Sequence, residues 1–200
     1  GWFSEILKRA SAFVDPSLCG DSADAWVYCD NGQGRLVVPV VRYVGVLEGV
    51  PTPAGVVIFD GTSAELKTDV AAGELPGPVY PSSIAAAQRD SLTAANGVWD
   101  KIFSRAGYET SEDVDGDPNS GNVAELLLER ADSSGWDYVT PLSPRGKSFT
   151  IAGVAVVNAD TVTAGKFNPL TVHTLEQSRE GNLAVADRVK AAFPQLGWAS

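Results

Sequence analysis

Methionine is absent from these 200 residues, histidine occurs once, and cysteine occurs twice. A lone imidazole, His173, cannot build a zinc or copper centre without several thiolates or carboxylates beside it. Cys19 and Cys29 are ten positions apart and form no Cys-x-x-Cys pair, which argues against a dithiol redox motif. In an oxidising compartment they could close a small loop, and in a reducing one they are two ordinary thiols. Basic residues are also scarce. Fifteen Lys and Arg stand against 25 Asp and Glu, for a net charge of −10. That balance disfavours nucleic acid and anionic membrane surfaces as partners, since both select basic stripes. No apolar run approaches 18 residues. The longest, Leu36 to Leu47, is broken by Arg42 and stops at Glu48.

Several catalytic signatures are missing as well. Gly146-Lys147-Ser148 has the ending of a phosphate-binding loop, but Pro141 occupies the position of its leading glycine. Gly20-Asp21-Ser22 has the residues of the nucleophile block of a lipase and esterase family. The stretch before it is polar and helical in pattern, and His173 is not preceded by the matching Asp. No Gly-x-Ser-x-Gly occurs either. A carboxylate pair for glycosidic chemistry would have to come from Asp60, Asp69, Asp137 or Asp160, and sequence alone selects none.

What is present is an ordinary globular composition, 44% hydrophobic and 20% charged, in a chain long enough to bury a full core. Trp2, Phe3, Ile6, Leu7, Ala10, Phe13 and Val14 recur at helical spacing, predicting an amphipathic helix that ends near Asp15-Pro16. Two readings apply to it: a helix packed on the domain, or a membrane-proximal segment, because terminal Trp and Phe suit an interface. The start at Gly1 and the lack of Met are expected of either a trimmed or a processed chain, from which a leader or anchor could have been removed.

From Ala25 onward the pattern turns to strands. Trp26–Cys29 and Arg35–Val44 flank the turn cluster Asp30-Asn31-Gly32-Gln33-Gly34, a good hairpin signal. Pro39 cannot donate to a ladder, so that strand is expected at an edge or to carry a bulge. Further strands are predicted over 54–60, 64–68, 136–141, 148–157 and 170–175. The run at 148–157 is apolar on both alternating sets and should be central in its sheet. Glu74-Leu75-Pro76-Gly77-Pro78 marks a break. Helices are expected near 83–106, 122–132 and 183–193, the first begun by Pro81-Ser82-Ser83 and the last stopped by Pro194.

This pattern predicts an α+β fold: a largely antiparallel sheet, with mixed pairing allowed, covered by helices near 2–14, 83–106, 122–132 and 183–193. Residues 1–15 form the N-terminal helix and 16–200 one domain with a break near 74–81.

The acidic stretch 108–122 is the one place where potential ion ligands crowd together. With Gly116 at the sixth position of a calcium loop, Asp113, Asp115, Asp117 and Asn119 take the third, fifth, seventh and ninth. Ser111 and Asn122 then occupy the first and twelfth positions, where calcium wants carboxylates, and Asn122-x-x-Glu125 also reads as a helix capping box. Calcium is therefore the sole cofactor candidate, at a weak site.

The reading that follows is a non-enzymatic protein-interaction or scaffold domain with a protein partner. It would be the soluble part of a membrane-tethered or exported protein, placed outside the cytoplasm. The alternatives are a binding module with a weak calcium site at 111–122 and a hydrolase with an unrecognised carboxylate pair.

Overall fold

The computed structural model describes residues 14–20, 23–45, 49–92, 108–109, 126–132, 134–144, 150–180 and 182–194. The chain divides into two units, Gly1–Ala87 with Leu127–Tyr138 and Val157–Leu170, and Gln88–Leu126 with Val139–Val156 and Thr171–Ser200. Each is described by itself.

The first unit is built on β1 (Leu18–Gly20), β2 (Trp26–Asp30), β3 (Gln33–Val44), β4 (Val50–Phe59) and β5 (Ala64–Lys67). The sheet order is β1-β3-β4-β5, with β2 also paired to β3, and the described pairings are antiparallel. The β2–β3 hairpin turns on Asn31 and Gly32 with φ of 50° and 81°, and Asp30 pairs with Gln33. Both central residues at positive φ are what a two-residue turn of the type that matches strand twist requires, and Asn-Gly tolerates it best.

β3 carries two cores on its two faces. Val37 and Val41 point into one cluster, with Val56, Val79, Tyr80, Ile84, Tyr138 and Val157. Leu36, Val38 and Val40 point into the other, with Leu18, Ala54 and Val57. A strand buried on both faces reads as a continuous apolar run rather than an alternation. Ala54 and Val57 share a face despite their odd spacing, because the β3–β4 register slips after Val40↔Gly55 to Val41↔Pro53. That is a β-bulge. Gly55 adopts φ 112° there, and a Cβ on it would lie 2.1 Å from the Lys67 carbonyl oxygen. Pro39 sits in an interior strand, not an edge. On its β1/β2 side, β2 pairs only as far as Val37 and β1 begins at Val40, so no ladder on that side needs a Pro39 N–H.

β6 (Asp69–Val70) pairs with β11 (Val162–Thr163). Helix α1 (Ser82–Ser91) starts at Pro81, whose carbonyl accepts the Ile84 and Ala85 amides, while the Asp24 carboxylate accepts the Ser82 amide. Its Ile84 and Ala85 enter the first core.

A second sheet has the order β12-β10-β9-β7, from β7 (Tyr108–Glu109), β9 (Trp136–Pro144), β10 (Thr150–Asn158) and β12 (Leu170–Glu180), with β8 (Leu126–Glu129) also paired to β9. Four of its strands, β8, β9, β10 and β12, carry residues of both units. β10 lies inside this sheet, between β12 and β9, but is fully buried only at Gly153, Ala155 and Val157. In the second unit Thr140, Leu142 and Ala155 are buried, and the chain passes from β12 into helix α2 (Asn182–Ala192).

Several expectations are corrected. The fold is mostly antiparallel β-sheet, not an α+β sheet covered by helices. Among the described residues only two helices occur, of 10 and 11 residues. Where a helix was expected over 122–132, Leu126–Glu129 form β8, paired to β9. Three consecutive leucines satisfy a helical and an extended pattern equally, and pairing with β9 decides. The helix expected at 83–106 is present as Ser82–Ser91, and its continuation past 92 lies outside the described residues, as does nearly all of 2–14.

Cys19 and Cys29 are free and exposed. They pair with Val41 and Gly34, seven residues apart on the same strand. That separates them by about 23 Å at ~3.3 Å per residue. Bridged cysteines need Cα atoms within about 7 Å, so the sheet register forbids the disulfide.

Candidate functional site

Of the four carboxylates singled out for acid–base work, the structure brings two together. β8 leads into a turn in which the Arg130 amide donates to the Gly135 carbonyl at 2.8 Å. From that turn the Arg130 guanidinium engages Asp137, with Nη2 to Oδ1 at 2.8 Å and Nε to Oδ2 at 3.0 Å. The same Nη2 donates to Asp160 Oδ1 at 3.0 Å. The Asp160 side chain has 0% exposure. Gly135 passes so close that a Cβ there would lie 1.7 Å from Asp160 Oδ2. The Asp137 hydrogen bonds, followed by those of Asp160, hold the Arg130 pKa above its ordinary range.

Two carboxylates bound to one guanidinium form a structural clamp. A general acid–base pair needs its protons free to exchange with a substrate, whereas here both groups are committed to Arg130. Asp160 also belongs to a fully bonded corner. Asn158 Oδ1 accepts the Thr161 amide at 3.0 Å, and Asn168 Nδ2 donates to the Asn158 and Thr161 carbonyls at 2.9 and 2.8 Å. Tyr138 Oη donates to the Tyr80 carbonyl at 2.9 Å, and Tyr80 Oη accepts the Asn168 amide at 3.2 Å. Burial pushes the Tyr80 phenol up to about 12.

The other two carboxylates are committed to structure, Asp60 within its own turn and Asp69 across a strand pair. Asp60 accepts the Ser63 and Thr62 amides at 2.7 and 2.8 Å and both hydroxyls at 2.9 Å. Those bonds, the Ser63 amide first, hold it well below the usual carboxylate range. Asp69 accepts from Thr163 Oγ1 at 2.8 Å, tying β6 to β11. His173 is exposed on β12. The calcium candidates Asp113, Asp115, Asp117 and Asn119 lie outside the described residues, as does Gly146-Lys147-Ser148. Among the described residues, no group of three His, Cys, Asp or Glu is placed to hold a metal ion. No described helix is long and apolar enough to cross a membrane.

Apolar side chains are exposed in several places, among them Leu126, Leu127 and Leu128 of β8. In the second unit, every described side chain of α2 is exposed, including Val185 at 47% and Val189 at 41%. These lie four residues apart on one helical face, with Phe193 continuing it at 49%. Beside it in sequence, β12 exposes Thr171 through Thr174 on both of its faces. In the first unit, the far end of the β3–β4 hairpin exposes Tyr43, Val44 and Val50 at 58, 57 and 58%. Sequence patterning placed a helix near 183–193 but gave no sign that Val185 and Val189 are exposed. Arg130 carried no signal, because its partners are 7 and 30 residues away. Compared with family models, curated proteins and solved structures, the chain matches none of them.

Proposed function

We propose that this chain is a non-enzymatic protein-interaction module, the soluble part of a membrane-tethered or exported protein, and that α2 presents its docking face. The observation that carries the reading is the exposed apolar stripe of Val185 and Val189 on a helix of 11 residues. A water-exposed helix of that length is marginal alone, and helices in proteins are held chiefly by burying an apolar face. An apolar stripe left in water is a surface that a partner protein would cover. The commitment of Asp137 and Asp160 to Arg130 further supports a non-enzymatic role.

The test is V185S/V189S together with a photo-crosslinker at Arg188 on the same helix. In the isolated chain the double serine variant should move the melting midpoint by no more than about 2 °C, as surface substitutions do. In native extract the crosslinker should give one discrete adduct that the double variant loses. A large drop in the midpoint would mean that the face is packed within the chain, and the reading fails. An adduct insensitive to the serines also defeats it.

A further inference from the structure

Two described turns place a glycine directly after a residue with a side-chain carbonyl carbon, Asn31-Gly32 and Asp60-Gly61. The chemistry open to both is the same. The glycine amide nitrogen can attack Cγ of the preceding residue and close a five-membered ring. Glycine permits this best, because it has no Cβ in the way and restricts the backbone least. The fold treats the two sites in opposite ways.

At Asp60 the ring is blocked. Oδ1 accepts the Ser63 and Thr62 amides at 2.7 and 2.8 Å and the Thr62 hydroxyl at 2.9 Å. Oδ2 accepts the Ser63 hydroxyl at 2.9 Å and Arg35 Nη1 at 3.4 Å. Turning Cγ toward the Gly61 nitrogen would break these bonds. They also hold the carboxyl below the usual range, so it stays ionised, and a carboxylate is a poor electrophile.

Asn31 is held by far less. Among the described residues its side chain makes one hydrogen bond, from Nδ2 to Asp30 Oδ1 at 3.0 Å. Asn31 through Gly34 are all exposed, and a Cβ placed on Gly32 would meet nothing within 4 Å. The β2–β3 ladder ends at Asp30↔Gln33, so no strand pairing fixes the peptide between Asn31 and Gly32. Its side chain is a neutral amide, whose nitrogen can leave as ammonia.

We propose that Asn31 is a self-modification site of the folded chain, converted by the Gly32 nitrogen to aspartate and isoaspartate. The Gly32 nitrogen bonds to Asn31 Cγ, the Cγ–Nδ2 bond breaks, and ammonia leaves with the Gly32 amide proton. Water then opens the cyclic imide. Addition at Cγ gives aspartate, and addition at the Asn31 main-chain carbonyl carbon gives isoaspartate, whose main chain runs through the former side chain. Either product sets a second carboxylate beside Asp30 and removes the bond from Nδ2. The isoaspartyl product also adds a main-chain atom to a turn whose length fixes the strand register, so it loosens the Asp30 end of β2 from β3. The other end stays anchored, because Trp26 Nε1 donates to the Pro78 carbonyl at 2.7 Å. The partner class that recognises this product is an isoaspartyl-methylating repair enzyme, which esterifies the new α-carboxylate. The proposal rests on the first unit alone and is independent of the α2 docking face.

The test is incubation of the full chain at mildly alkaline pH, folded and in urea, followed by peptide mapping. Mass spectrometry reads loss of the amide at residue 31. Isoaspartate at 31 and 60 is read by methyl transfer from labelled S-adenosylmethionine with a protein-isoaspartate methyltransferase. Mapping keeps residue 31 apart from Asn96-Gly97, which lies outside the described residues. Residue 31 should convert in the folded chain at nearly the rate seen in urea, whereas isoaspartate at 60 should form only in urea. The purified isoaspartyl form should exchange its amide hydrogens at Cys29 and Asp30 faster than Asn31→Asp, which has the charge but not the extra atom. Exchange at Trp26 and Val27 should be the same in both. A folded chain that keeps Asn31 while the chain in urea loses it overturns the proposal, as does equal isoaspartate at 31 and 60 in the folded chain. An isoaspartyl form that exchanges no faster than Asn31→Asp defeats the loosening of β2.

Discussion

Arg130 reaches Asp160 through Nη2 at 3.0 Å, meeting a carboxylate whose side chain is closed to solvent. It is the same guanidinium that binds Asp137, so one positive charge serves two negative ones. A buried ion pair adds little over a well-packed apolar replacement, but removal of one partner strands the other charge in a poor solvent.

Arg130→Leu should therefore destabilise the chain by about 3 kcal/mol, toward the low end for a broken buried pair because the arginine retains some exposure. In a chain of this size that is a fall of roughly 6–12 °C in melting midpoint, read by circular dichroism. R130L/D160L, which removes the stranded charge as well, should recover part of the loss. A double variant no better than the single one would show that the clamp acts through packing alone.

Gly55 and Gly61 both have positive φ, 112° and 97°, but differ in what surrounds them. A methyl on Gly55 meets the Lys67 carbonyl, whereas one on Gly61 meets nothing within 4 Å. Gly61→Ala should cost about 1 kcal/mol, the strain of a left-handed residue with a side chain. Gly55→Ala adds an overlap with backbone that cannot move aside, and should cost about 3 kcal/mol or more. Urea unfolding of the two variants side by side checks the difference. Equal losses would mean that the bulge opens readily.

Acid should weaken the fold in a definite window. Hydrogen bonds hold Asp60, Asp15 and Asp132 below their ordinary values, through the Ser63 amide, the Ser17 hydroxyl and the Ser134 hydroxyl first. The Lys67 ammonium does the same for Glu74. A depressed folded pKa gives stability that is present above the unfolded value and lost as pH falls through the folded one. Stability should be level from neutrality down to about pH 5 and decline below about pH 4, near the unfolded carboxylate values. Asp60→Asn should flatten that decline. Unfolding by urea at pH 7, 5, 4 and 3 measures it, and a loss beginning above pH 5 would contradict the assignment.

Much of the fold was legible because local signals and tertiary pairing agree. Asn31-Gly32 dictates its turn by backbone sterics alone, and Pro81-Ser82 starts a helix whose Ile84 and Ala85 have a core to enter. The weak point was Leu126-Leu127-Leu128, where neither period is expressed and the nearby capping-box pattern favoured a helix. The candidate site was less legible. Nothing near Asp160 in sequence hints at Arg130, and the ten-residue spacing of Cys19 and Cys29 left open a bond that their register on β3 forbids.

The sequence by itself determined the hairpin turn, the start of α1, the acidic surface and the apolar run that becomes β3, because each depends on conformational preference or composition within a few residues. Only the tertiary structure decided which face of that run meets which core and where it overshoots into solvent. It also decided that Asp137 and Asp160 share an arginine and that two cysteines stand apart. These are properties of strand register and of pairing between distant segments, where a shift of one position changes every neighbour.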